Sequence, residues 1–513
     1  MPAQENLSSK TIHNALFSFL GYGLPIIFSI FITPVLVRRL GVENYGIFIL
    51  VNTINGFLSL SDLGFGMALI KYVAENYSLG KQRELMSLVK TANTVFLGVG
   101  LAGMFIYAAL AKWFLPFFHI NFQSLATANK SFIVFGVFFL LSSLSLSYNH
   151  LIRAIQRYDV AVTLNLVQNI AVSVGSLVIV LAGRGLVSII WFYVGVTAVM
   201  LIAGLYYVRK LLPKVSLSFG WDFPEAKKSL RFGFAAFLSN IAGSALLSLD
   251  RMIIPLYVGP ESLTYYSLPG NVTQKAVGVT GAVSGVLFPL MSSLHSTADL
   301  PLLQRVYLKV FRNVTILSVA MTLPMFIFAR QILRYWLGED FAVQGTEILR
   351  ILAVTYFILS VYGPLINFLL GLGRVKLLAI SSMCLAFINV VLLFLLLPHY
   401  SIVGAAWAYL LAVLPIVGLF CYVESRILRI RGQWKFYGGM YFKILLNSAV
   451  FAILSFFLKR LIVNFMSLVL VGGSSVILFL LIYKILGFFE KEDWDMYVNY
   501  LRTIKSKIVL WNL

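Results

Sequence analysis

Apolar stretches recur from residue 14 to residue 483, divided by short polar breaks. A helix that crosses the bilayer core needs about 20 residues with few charges. Eight runs contain no Asp, Glu, Lys or Arg: 14–37, 91–111, 131–152, 160–183, 185–208, 351–373, 377–423 and 461–483. The run 377–423 is long enough for two helices, with Pro398-His399-Tyr400 where a turn belongs. Less clean runs fall at 44–61, 232–249, 276–298, 313–329 and 444–458. The pattern predicts an all-α integral membrane protein with about 14 transmembrane helices.

Composition agrees. Of the 513 residues 60% are hydrophobic and 12% charged, against about a quarter charged in soluble domains. The net charge of +21 would suggest nucleic acid on a soluble protein, but here the charges follow the loops. With a cytoplasmic N-terminus, 28 of the 40 Lys and Arg fall on that side and 11 on the other, with Lys275 inside a span. This bias places both termini in the cytoplasm. The excess charge orients the chain and lies against anionic headgroups, which leaves no nucleic-acid partner. Cys384 and Cys421 sit in apolar runs without a CxxC pair, so neither a disulfide framework nor a zinc site is expected. The first apolar run ends at Arg38-Arg39 with no small-residue cleavage site, which argues against a cleaved signal peptide.

The two halves resemble each other. Leu40-Gly41-Val42-Glu43-Asn44-Tyr45-Gly46 aligns with Val258-Gly259-Pro260-Glu261-Ser262-Leu263-Thr264 at an offset of 218 residues, and Ile155-Gln156-Arg157 with Leu372-Gly373-Arg374 at 217. Six spans separate the copies, an even number, so they share one orientation and an axis along the membrane normal relates them. Two six-helix lobes with a cavity between them, rocking to open it to either face, are the expected architecture. The domains are then a lobe at 1–212, a cytoplasmic amphipathic linker at 213–230, a second lobe at 231–430, a helix pair at 431–488 and a basic tail at 489–513.

The segment Leu40–Gly46 followed by Leu60-Ser61-Asp62-Leu63-Gly64-Phe65-Gly66 resembles the opening of the Wzx-type polysaccharide flippases, members of the multidrug/oligosaccharidyl-lipid/polysaccharide exporter superfamily. So do Leu370-Gly371-Leu372-Gly373-Arg374-Val375-Lys376 and Ile402-Val403-Gly404-Ala405-Ala406-Trp407-Ala408. The resemblance implies two six-helix lobes in a V with a terminal helix pair, in the cytoplasmic (inner) membrane. It implies a substrate, an oligosaccharide repeat unit on undecaprenyl diphosphate, moved from the inner to the outer leaflet for O-antigen, capsule or exopolysaccharide assembly. Polysaccharide polymerase and chain-length proteins are the implied partners, beside membrane lipids.

Ionisable groups inside a span are costly and face a cavity or a partner. Arg251 and Lys275 are candidates to hold a diphosphate by charge-assisted hydrogen bonds; pairing with Asp250, or snorkelling to the interface, is the plainer reading. Asp62 and Asp250 are candidates for H+ or Na+ coupling, and no other cofactor is expected. Asp62 would serve equally as a cap where Asp62-Leu63-Gly64 stops and restarts a helix. Asn52 and Asn55 share one helical face, as do Asn165, Gln168 and Asn169. Each set suits sugar hydroxyls in a wet cavity, or helix–helix hydrogen bonding. Arg153, Arg157, Arg374 and Lys376 lie at the cytoplasmic entrance, where charge bias explains them too. Trp113 and Trp336 read as interfacial anchors, and 219–230 as an amphipathic helix on the inner surface.

Two rivals share part of this pattern. An ion-coupled drug antiporter would have the same lobes but an acid-rich cavity. A membrane polysaccharide polymerase would carry catalytic groups on a large outer loop, and the outer loops are short. The short outer loops favour a transporter over an enzyme, and no GxxxxGK[ST] segment is present, which argues against ATP as the direct energy source.

Overall fold

The computed structural model describes residues 28–62, 64–213, 215, 218–285, 287, 300–430 and 433–489. Among them the regular elements are helices, with no strand. Packing divides the chain into two compact units, Met1–Thr264 and Tyr265–Leu513. Nine helical stretches among the described residues are long and apolar enough to cross a membrane. One of them, Val375–Ile427, has 53 residues and is long enough for two crossings.

The first unit opens with α1 (28–40) and α2 (Val42–Leu58). A 3-10 turn at Ser59–Asp62 follows, then α3 (Phe65–Ser78). Between the last two, Gly64 takes φ 75° and ψ 11°, a left-handed conformation open to glycine at no steric cost. The backbone therefore stops and restarts here; the side chain of Asp62 lies outside the described residues. Next come α4 (Gln82–Ala109), α5 (Phe122–Ala154), α6 (Tyr158–Leu181) and α7 (Leu186–Leu211). Then α8 (Phe223–Ser248) and α9 (Asp250–Ser284) carry the chain across the unit boundary. Phe65, Leu69, Leu88, Ala92, Phe96, Leu151 and Ile152 form the core between α3, α4 and α5. Tyr107 packs among Phe132, Phe135 and Phe139 and donates to the Val51 carbonyl at 2.7 Å. Lipid offers no hydrophobic drive for helix association, so small residues and short polar bonds hold such helices together. Gly103 accordingly lies under the Phe139 ring, and Ser143 donates to the Phe96 carbonyl at 2.8 Å.

The second unit holds α10 (Leu300–Ile327), α11 (Ala329–Trp336), α12 (Glu339–Gly371) and α13 (Val375–Val413). A short α14 (Ile416–Tyr422) runs into a π turn at Val423–Ile427. The expected turn near residues 398–400 falls at Ser401, with φ 52°. The terminal pair, α15 (Gln433–Leu461) and α16 (Phe465–Ile485), is joined by Phe451 on Phe479 and by Asn447 donating to the Phe479 carbonyl. Val167, Val174, Val178 and Leu181 are exposed along one face of α6, a surface that lipid covers and water would not. Trp113 is exposed and Trp336 is buried within its own unit. The tail at 490–513 and the first 27 residues lie outside the described residues.

The sequence repeat recurs in the backbone. Gly41 has φ 85° and ψ 153°; Gly259, its counterpart 218 residues on, has φ 79° and ψ 169°. Gln156 (φ 61°) and Gly373 (φ 69°) form the second pair. Each closes its helix with the same two bonds. Gln156 N–H donates to Arg153 O at 2.9 Å and Arg157 N–H to Ile152 O at 3.1 Å. Gly373 N–H donates to Leu370 O at 3.0 Å and Arg374 N–H to Leu369 O at 2.9 Å. Both are the left-handed motif that ends many helices.

Candidate functional site

A polar and aromatic face forms in the first unit. Phe48, Asn52 and Asn55 follow one another along α2 at helical spacing, all half-buried, and Ser59 continues the row at its C-terminal end. The Phe48 ring meets Tyr193 of α7 edge-on at 5.9 Å, and Tyr193 lies 6.1 Å from Phe138 of α5. Asn52 donates back to the Phe48 carbonyl at 2.8 Å, which leaves its side-chain oxygen directed elsewhere. The side-chain oxygen of Asn55 is buried with no hydrogen-bond partner, an arrangement that costs free energy unless a ligand or water supplies a donor. Amides beside aromatic faces are what a sugar ring needs, since its hydroxyls want hydrogen bonds and its C–H face wants an apolar plate. Sequence spacing identified the two asparagines; the aromatic partners come from other helices and had no local signal.

The α6 set divides. Gln168 donates to the Thr197 hydroxyl at 3.3 Å and so ties α6 to α7. That is the helix–helix alternative. Asn165 is half-buried and Asn169 exposed.

Asp250 and Arg251, expected inside a span, do not lie in the middle of a helix. They open α9 after a break at Leu249, whose carbonyl accepts from Met252 N–H at 3.0 Å and Ile253 N–H at 3.1 Å. The Asp250 side chain, 3% exposed, accepts from the Arg251 backbone N–H at 2.8 Å. A carboxylate in the first turn is favoured by the free amides and the helix dipole. Arg251 is half-buried. Lys275 is half-buried on α9 beyond the Gly259 kink.

The four entrance residues differ in state. Arg157 is exposed and gripped by Asp159, Nε to Oδ1 at 3.0 Å and Nη2 to Oδ2 at 2.9 Å. Arg153 is half-buried, with its Nε enclosed. Arg374 and Lys376 are exposed at the start of α13. Asp159 was the unweighed residue: the charge that makes Arg157 attractive to an anion is largely met within the chain.

A further acid escaped the sequence reading, which counted only Asp62 and Asp250 inside spans. Glu424, 2% exposed in the π turn, accepts from Tyr437 of α15 and from Tyr307 of α10 at 3.4 Å. Its position, at the end of an apolar run and two residues before Arg426, gave it the look of a loop residue. Among the described residues no group of three His, Cys, Asp or Glu side chains is placed to hold a metal ion.

Comparison with known proteins extends these observations. Residues 10–295 match the family model described as polysaccharide biosynthesis protein, and residues 235–395 match the MatE model. A protein of Shigella flexneri named as an O-antigen transporter is 20% identical over 420 residues, 79% of this chain and 95% of its own. A Haloferax volcanii protein named as a low-salt glycan biosynthesis flippase is 22% identical, over 78% of this chain and 80% of its own. Among solved structures, the lipid II flippase MurJ in an inward closed conformation superposes with a TM-score of 0.73 at 15% identity, over 92% of this chain and 99% of that one. An inward-facing multidrug transporter of the MATE family gives 0.68 at 14% identity, over 81% and 99%. At these identities the likeness is one of fold.

Proposed function

Starting from a chain that belongs to the polysaccharide biosynthesis protein family, we propose that it is a flippase for lipid-linked oligosaccharides, carrying a repeat unit on undecaprenyl diphosphate from the inner to the outer leaflet by alternating access. The observation that carries this reading is the family match over more than half of the chain, residues 10–295. The transporter fold and the two named relatives point the same way.

In this reading Arg251 of the first unit and Lys275 of the second are each a candidate cation for the diphosphate, whose oxygens accept charge-assisted hydrogen bonds. Phe48, Asn52, Asn55 and Tyr193 receive the sugars. Asp250, buried at the break before α9, is the acid at which an H+ or Na+ gradient would be coupled. The cytoplasmic membrane is the expected location, with both termini inside by charge bias. Polymerase and chain-length proteins would take up the exported unit.

Deletion of the gene in its host tests the assignment. Surface polysaccharide should be lost while complete, unpolymerised units accumulate on the cytoplasmic face. Arg251→Ala should reproduce that phenotype with the protein still in the membrane; normal polymer at normal expression removes Arg251 from the mechanism. The second reading, an ion-coupled drug antiporter, has the MatE match at residues 235–395 in its favour. Normal polymer together with new sensitivity to cationic drugs would select it.

A further inference from the structure

Four cations surround one open groove in the first unit, away from the polar face of α2. Tyr72, Pro224, Lys227, Lys228, Arg231 and Phe232 line it, enclosing about 550 Å³, and Lys71 borders it from α3. The Lys71 ammonium lies 4.2 Å from the centre of the Phe232 ring and 5.0 Å from that of Tyr72. Lys228 approaches the same Tyr72 ring at 4.3 Å. Two ammonium groups thus approach one phenol ring, each contact worth about 0.5–1 kcal/mol for an exposed cation, while leaving their N–H donors available. Among the described residues the one carboxylate within ion-pair distance is Glu225, 3.8 Å from Lys228. Four cations and one carboxylate leave three positive charges uncompensated.

The walls are held firmly. Ser87, Thr91 and Thr94 form a hydroxyl stripe on α4 that moors the strand of chain entering α8. Thr94 Oγ1 donates to Gly220 O at 2.8 Å and accepts from Gly220 N–H at 3.0 Å. Thr91 Oγ1 accepts from Asp222 N–H at 3.1 Å, and Ser87 donates to the Asp222 carboxylate. On the other side the Gly64 backbone lies so close to Gly233 that a Cβ would fall 2.1 Å from the Gly233 carbonyl oxygen. The helices bearing Lys71 and Lys228 are therefore locked together, and the cations are preorganised rather than free to spread. Beside them Trp221, Phe223 and Phe234 are exposed, an aromatic rim suited to the headgroup level of a bilayer.

We propose that this groove binds the diphosphate headgroup of a membrane lipid before transport. A headgroup with one negative charge would leave most of the groove's charge unmet; a diphosphate meets two or three and has oxygens enough for the Arg231 fork and the lysines. The apolar rim takes the start of the lipid tail. The charge bias assigns this surface to the cytoplasmic side, the side from which a lipid-linked unit would load. The loading role rests on the flippase reading, but binding does not.

Native mass spectrometry on the full purified chain in detergent tests it, in an Arg251→Ala/Lys275→Ala background so that binding elsewhere does not mask the groove. Undecaprenyl diphosphate is the probe, with phosphatidylglycerol and inorganic diphosphate as competitors. The Lys228→Ala/Arg231→Ala double variant should bind the probe at least ten-fold more weakly, and Lys228→Arg within about two-fold of its parent. Tenfold excess phosphatidylglycerol should not displace the probe. Undiminished binding by the double variant overturns the proposal. Displacement by equimolar phosphatidylglycerol overturns it in favour of a general headgroup surface, and equal affinity for inorganic diphosphate in favour of a free-anion site. If groove-dependent binding holds but the deletion strain makes normal polymer, the transport reading fails and the site stands.

Discussion

Gly46 is where a single methyl group should be felt most. A Cβ built there falls 1.8 Å from the Pro260 carbonyl oxygen, 2.5 Å from its carbon and 2.9 Å from Thr264 Oγ1. The first two are backbone atoms, so no rotamer change relieves the overlap. In Gly46→Ala, α2 must withdraw from the segment at 260–264 by more than 1 Å to reach the roughly 3 Å below which such contacts are essentially never seen. Withdrawal breaks the bond from Thr264 Oγ1 to Val42 O, now 2.8 Å, at a cost of about 1 kcal/mol. Overpacking of this kind adds about 1–3 kcal/mol, and alanine's better helix propensity returns about 1 kcal/mol. The net is a destabilisation of about 1–3 kcal/mol, or roughly 2–12 °C in melting temperature for a unit of this size. Gly56→Ala is the control: it sits on the same helix with nothing within 4 Å of its Cβ, so it should melt at or slightly above the parent. Both belong in one detergent at one scan rate, because large chains of this kind commonly unfold irreversibly and their melting temperatures then depend on scan rate. Gly46→Ala melting level with Gly56→Ala would refute the close approach.

Thr94→Val removes both bonds to Gly220; it should raise amide exchange at residues 218–223 while leaving the α5–α7 packing protected, which hydrogen-exchange mass spectrometry reads. Glu424→Ala orphans the Tyr307 and Tyr437 hydroxyls and should destabilise by about 1–3 kcal/mol for each one left buried without a partner; Glu424→Gln, which keeps an acceptor, should recover most of the melting temperature. Arg157→Ala removes an exposed pair with Asp159 and should leave both melting and export unchanged, since surface ion pairs contribute little.

Much of the fold was written in the apolar periodicity. The long clean runs became α4 through α7, α12 through α14 and α16, because about 20 apolar residues have one stable form in lipid. Shorter runs were less faithful. The stretch 44–61 became a 17-residue helix and a 3-10 turn, since the left-handed Gly64 ends what hydropathy alone would continue. The break at Leu249, between Ser248 and Asp250, was hidden because no glycine or proline marks it. Of the site, Asn52 and Asn55 were legible because helical spacing is local. Phe48–Tyr193 and Glu424–Tyr307–Tyr437 join positions 145 and 117 residues apart or come from separate helices, and no spacing rule reaches across that distance.

The paired turns at Gln156 and Gly373 bear on how this chain arose. Both hold a left-handed residue between the same two hydrogen bonds, yet one has a side chain for which that conformation carries a cost and the other has none. A gene duplicated end to end would pass on its turns to both copies, after which each copy could exchange residues so long as the backbone path survived. Asp250 and Arg251 stand where the first copy has Ile32 and Thr33, so the same ancestry permits chemistry to be acquired by one half alone. Divergence of cargo would then proceed by altering side chains on inherited joints, leaving the joints themselves as the slowest part of the molecule to change.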